Sequence, residues 1–138
     1  MNEGIRRSLD RWHAMVQAMD MAALSEIVAA DAVFRSPVAH KPYEGGYALC
    51  LALYTVSQVF EDFAYHREFV SADGMSVVLE FSARVGDKSL KGIDMIRFSE
   101  DGMITEFEVM IRPLSGLQAL AAEMGARIGD QLSALKAD

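Results

Sequence analysis

Val77-Val78-Leu79-Glu80-Phe81-Ser82-Ala83-Arg84-Val85 leads through Gly86-Asp87 into a second extended run that ends in Gly92-Ile93-Asp94-Met95-Ile96-Arg97-Phe98. In the first run Val77, Leu79, Phe81, Ala83 and Val85 fall on one side, opposite Val78, Glu80, Ser82 and Arg84. That period of two predicts a strand with its apolar set buried. Gly86-Asp87 is a tight-turn signal, and Asp73-Gly74 and Asp101-Gly102 repeat it on either side. The chain from Tyr65 to Arg112 therefore divides into four strands joined as consecutive antiparallel hairpins. In the last of them Phe107, Val109 and Ile111 alternate with Glu106, Glu108, Met110 and Arg112.

Upstream the spacing changes. Ile5, Leu9, Trp12, Val16 and Met19 follow one another at steps of four and three, one face of a helix of about four turns. Asp20 is placed to cap a second, shorter helix with Leu24, Ile27 and Val28 inward, and the chain is then extended from Asp31 to Pro37. A loop from Val38 to Glu44 precedes Gly45-Gly46, which opens a third helix to about Phe60 with Leu49, Leu53, Val56 and Phe60 inside. After Pro113, Ser115 and Gln118 have the spacing of a capping box for a final helix carrying Leu117, Leu120, Met124, Ile128 and Leu135 near one face. Helices ahead of a run of hairpins predict an α+β domain, a strongly curved antiparallel sheet wrapped like a cone around the N-terminal helices.

The 138 residues suit one domain, 1–138, and the 51% hydrophobic and 24% charged composition is that of a chain folded throughout. A net charge of −7 without a Lys/Arg stripe argues against nucleic acid as a partner. No apolar leader or membrane-spanning stretch is read, so a cytoplasmic protein away from membranes is expected. Cys50 is the single cysteine and reads as a small buried hydrophobe. No Cys/His metal spacing, phosphate loop or nucleophile elbow appears, and no cofactor is expected.

Asp94 is the residue that chemistry must explain, because it occupies a position where the strand calls for a hydrophobe. Such a carboxyl is either neutral, paired with a cation such as Lys91 or Arg112, or functional. The order of elements, with Trp12 in the first helix, Ser36-Pro37 after the turn, Gly45 before the third helix, the run around Asp94, Asp101-Gly102-Met103-Ile104 and Arg112-Pro113, resembles the nuclear-transport-factor-2-like superfamily, in particular its ketosteroid isomerase and SnoaL-like branches. That resemblance implies a cystatin-like α+β roll with a hollow at its wide end. In the isomerases a tyrosine of the first helix and a protonated aspartic acid form an oxyanion hole, while a second aspartate before a proline moves the proton. By resemblance Asp94 is the oxyanion-hole acid, Trp12 replaces the tyrosine, and Ser36 replaces the proton-moving aspartate. A serine without a base does not transfer protons as a carboxylate does. Limonene-type epoxide hydrolases would have an arginine where Gly92 stands, and polyketide cyclases an acid near Met110, Ile111 and Arg112.

The resulting expectation is a site for an apolar small molecule with Asp94 as its polar anchor. His40, a residue type that exchanges protons near neutral pH, is read as a catalytic partner in place of Ser36. Trp12, Ser36, Tyr43, Phe60, Phe81, Ile96, Phe107 and Val109 are the expected ligand contacts. Two rival readings remain, an acid-base isomerase, dehydratase or epoxide hydrolase, and a non-catalytic interaction module. A homodimer packed through the outer sheet face is expected for the binding domain.

Overall fold

The computed structural model describes residues 1–135, the side chains through Ile128. Helix α1 (Glu3–Ala18) begins where Asn2 accepts a hydrogen bond from the Ile5 amide at 2.8 Å, and it buries Ile5, Leu9, Trp12 and Met15. Asn2 also donates to the Glu100 carbonyl at 2.9 Å, which ties the start of α1 to the turn that contains Asp101-Gly102. The shorter second helix is a single 3-10 turn, Leu24–Ile27. Asp20 spends its side chain on the Ala22 amide at 3.0 Å, closing a local turn instead of capping a longer helix.

Strands β1 (Val28–Arg35) and β2 (Tyr43–Glu44) come next, then α2 (Gly46–Val59). The hairpin strands are β3 (Glu61–Val70), β4 (Ser76–Val85), β5 (Lys88–Phe98) and β6 (Ile104–Arg112), and α3 (Leu114–Leu135) ends the described chain. Extended structure thus starts four residues before Tyr65, and Tyr43–Glu44 is a short strand within the expected loop. Ser115 lies inside α3, because the Pro113 carbonyl already accepts from the Leu117 amide at 3.0 Å; the expected capping box is absent. Leu120 and Ile128 are buried as the helical spacing requires, whereas the side chain of Leu135 lies outside those described.

The six strands form one curved, open sheet in the order β2-β1-β6-β5-β4-β3. Pairing is antiparallel throughout except that β1 runs parallel to β6, with Phe34 opposite Phe107. The alternation read in β4 holds, for Val77, Leu79, Phe81, Ala83 and Val85 are all buried on the inner face. On the outer face Glu80 is held by Arg67, at 2.5 Å, and by Lys91, at 3.1 Å. Lys91 is therefore directed away from the cone's interior. No helix among the described residues is long and apolar enough to cross a membrane.

Candidate functional site

Asp94 is buried at 6% exposure on the inner face of β5. Along β5 the inward residues are Leu90, Gly92, Asp94, Ile96 and Phe98, so strand parity alone sends the carboxyl into the cone. Neither Lys91 nor Arg112 pairs with it. Its partner is Tyr65 of β3, whose hydroxyl donates to Asp94 Oδ2 at 2.5 Å. The indole Nε1 of Trp12 donates in turn to the Tyr65 oxygen at 3.0 Å.

The direction of this chain follows from its first member. Indole N–H is a donor only, so Tyr65 accepts from Trp12 and commits its single proton to Asp94. Burial pushes the Asp94 carboxyl up to about 7, with the Tyr65 hydrogen bond opposing the rise in part. Burial, followed by the neighbouring Asp94, holds the Tyr65 phenol well above its ordinary value, while the Trp12 hydrogen bond acts in the opposite sense. Replacing Tyr65 by phenylalanine removes the hydrogen bond that favours the ionised carboxyl. The Asp94 titration should then move to higher pH, which a pH series of carboxyl carbon NMR shifts measures directly; a downward move would refute this account.

These residues border a cavity of about 970 Å3, whose lining is mainly apolar: Val16, Phe34, Leu53, Phe63, Val109 and Met124 contribute to it. The volume sits at the upper end of the range for small-molecule sites, roughly 300–1,000 Å3. Of the residues expected from sequence, Asp94, Trp12, Ser36, Tyr43, Phe60 and Val109 meet at this cavity. His40 does not. It is exposed and outside the lining, because the turn in which the Val38 amide donates to Ser36 Oγ at 3.2 Å carries Val38 to the cavity and leaves His40 beyond it.

Phe81, Ile96 and Phe107 are likewise absent from the lining. All three are fully buried core residues. Phe81 lies behind Phe63, at 5.1 Å between ring centroids, and Phe107 meets Trp12 edge-on at 5.2 Å. They support the wall from behind. Tyr65 and His13, which do line the cavity, were not among the expected contacts. The alternation of Phe63 and Tyr65 was the available signal for Tyr65, obscured because β3 loses register with β4 both before and after that pair.

Gly92 decides a further question. A Cβ there would stand 2.4 Å from the Met110 carbonyl oxygen and 2.7 Å from Phe81 Cζ. No side chain fits, so an arginine two residues before Asp94 is sterically excluded. Among the described residues no cluster of His, Cys, Asp or Glu is arranged to hold a metal ion.

Comparison with known proteins places the fold. The model of the SnoaL-like domain matches residues 9–107. The chain belongs to the SnoaL-like domain family. A steroid delta-isomerase from Pseudomonas aeruginosa is 56% identical to this SnoaL-like domain, with a TM-score of 0.92 over 96% of this chain and 97% of that one. An uncharacterised protein with a cystatin-like fold from Silicibacter pomeroyi is 28% identical, with a TM-score of 0.87 over 98% of both chains. The epoxide hydrolase/cyclase-like enzyme SalBIII shares the fold at 17% identity, with a TM-score of 0.65 over 80% of this chain and 92% of that one. No curated protein matches this SnoaL-like domain in sequence.

Proposed function

We propose that this SnoaL-like domain binds an apolar small molecule carrying an acceptor oxygen, such as a ketone, with Asp94 as the polar anchor. The observation that carries this reading is a buried carboxyl bordering a mainly apolar cavity, held by Tyr65 and paired with no cation among the described residues. In its neutral form Asp94 keeps Oδ2 as the acceptor for Tyr65 and offers its own proton from Oδ1. The arrangement suits a carbonyl oxygen better than a carboxylate, since no lysine or arginine among the described residues lines the cavity. The likeness to a steroid delta-isomerase makes a steroid ketone the natural first probe, and isomerisation of such a ketone is the second reading.

Trp12 is the single tryptophan and lines the cavity, so its fluorescence reports occupancy. Titration with a steroid ketone should give a saturable change whose affinity falls about tenfold per pH unit above the Asp94 pKa, as the donor is lost. Asp94→Asn, which retains an N–H donor, should bind with little pH dependence between about pH 5 and 9. A wild-type affinity independent of pH, or loss of binding in the asparagine variant, would contradict the neutral-donor role.

The outer sheet face supports the proposal of a homodimer. Its rows bring together Phe69, Val78 and Met95, and next to them Ile93 and Met110. Phe69 is 53% exposed and Met110 45%, unusual positions for large apolar groups on an unpartnered sheet. Native mass spectrometry of the protein from its own host reads the dimer and any retained ligand together.

A further inference from the structure

Among the described residues, the titratable side chains bordering the cavity are His13, Tyr43, Glu61, Asp62, Tyr65 and Asp94. Glu61 and Asp62 are committed to Arg84, at 3.3 and 3.1 Å. Burial raises the Tyr43 phenol, and the Tyr65 proton is committed to Asp94. That leaves the His13 imidazole, which stands against the Tyr65 ring bonded to Asp94, as a nitrogen base at the cavity.

His13 is held in place. Its Nε2 lies 3.2 Å from Glu68 Oε1, and its ring stands edge-on to Tyr65, at 5.4 Å between centroids and 90°. Glu68 reaches it because β3 carries an extra residue. Tyr65 pairs with Phe81, but Glu68 pairs with Leu79, so the register slips by one between them. His66 and Arg67 both turn to the outer face, where they meet Ser82 and Glu80, and Glu68 returns to the side of Tyr65. Regular alternation would have put Glu68 on the opposite face from Tyr65. Bulges of this kind re-aim side chains, and they are frequent beside active sites.

We propose that His13, oriented by Glu68, is a catalytic residue that moves a proton on a ketone whose oxygen is held by Asp94; this rests on the cavity being a ligand site. Carboxylate is an acceptor, so the proton of neutral His13 sits on Nε2 and Nδ1 keeps a lone pair. Nδ1 takes a proton from the carbon between the carbonyl and a β,γ double bond. The C–H electron pair forms a new C=C bond, and the carbonyl π pair moves to the oxygen that Asp94 stabilises. The imidazolium is balanced by Glu68. Return of the proton to the γ-carbon, as the oxygen pair reforms the carbonyl, gives the conjugated ketone and regenerates neutral His13.

The test uses a β,γ-unsaturated steroid ketone with the wild type, His13→Gln and Glu68→Gln, following conjugated-enone absorbance and binding by Trp12 fluorescence. His13→Gln should lose at least about 100-fold in kcat with KM little changed. The groups facing His13 from β3 are Glu68 and Tyr65. Glu68→Gln should lower kcat and leave KM and ketone binding little changed, a split that a packing role would not produce. Turnover by His13→Gln within threefold of wild type overturns the proposal. So does a wild type that binds the ketone but neither isomerises it nor exchanges its α-protons in D2O, and in that case the ligand site itself stands. Absence of ketone binding instead removes the reading of the cavity on which both rest.

Discussion

Asp94→Asn should be more stable than the wild type at pH 8 by up to about 4 kcal/mol, and nearly equal to it at pH 4. Burial pushes the carboxyl up to about 7 in the folded protein from an ordinary value of 3.8. Between those values the folded state holds a proton that the unfolded state releases, so unfolding free energy falls as pH rises and stays low above the folded pKa. Three units correspond to about 4 kcal/mol at 1.36 kcal/mol each. Asparagine has the shape of the neutral acid, can still accept from Tyr65 and does not titrate. The difference between the two proteins should therefore trace the Asp94 titration, on the order of 10 °C in Tm at its largest. Urea unfolding at half-unit pH steps measures it. A difference independent of pH would mean that Asp94 is ionised at little expense, by a partner other than Tyr65.

Gly92→Ala is expected to destabilise the fold by about 3 kcal/mol, near the upper end for overpacking, although it adds only one methyl group. The added carbon meets a backbone oxygen of β6 at 2.4 Å and the Phe81 ring at 2.7 Å. Moving the first disturbs the β5–β6 ladder that presents Asp94. Moving the second disturbs Phe60 and Phe63, which pack on Phe81. Phe81→Leu in the same chain should recover only the ring's part of the loss, so the two substitutions should be non-additive in denaturant midpoints. Full additivity would show that the ring yields freely.

The hairpins were legible because their turns carry glycine at Gly74, Gly86 and Gly102, each at positive φ, and because β4 keeps strict alternation. Inward placement of Asp94 followed from the same parity. What escaped the sequence depends on long-range pairing. Nothing local announces that β1 runs parallel to β6, nor that β3 slips twice against β4. Those slips decide which residues of β3 face the cone, so Tyr65 and Glu68 could not be assigned from period two. His40 has suitable chemistry and lies near Ser36 in sequence, yet a single turn leaves it outside the cavity lining. Phe81 and Phe107 are buried on the inner face, but periodicity does not distinguish a ring that faces a cavity from one packed behind it.

The parallel pairing of β1 with β6 also bears on the order of assembly. Hairpins β3 to β6 join neighbours in sequence, whereas Val28 must find Ile104 across most of the chain. Contacts that close long loops form late and slow folding. A meander of four strands can thus form while β1, and the helices attached to it, are still unplaced. In that interval the inner row of β4 and β5 is open to water, and the nascent protein is at its most vulnerable to association with other chains.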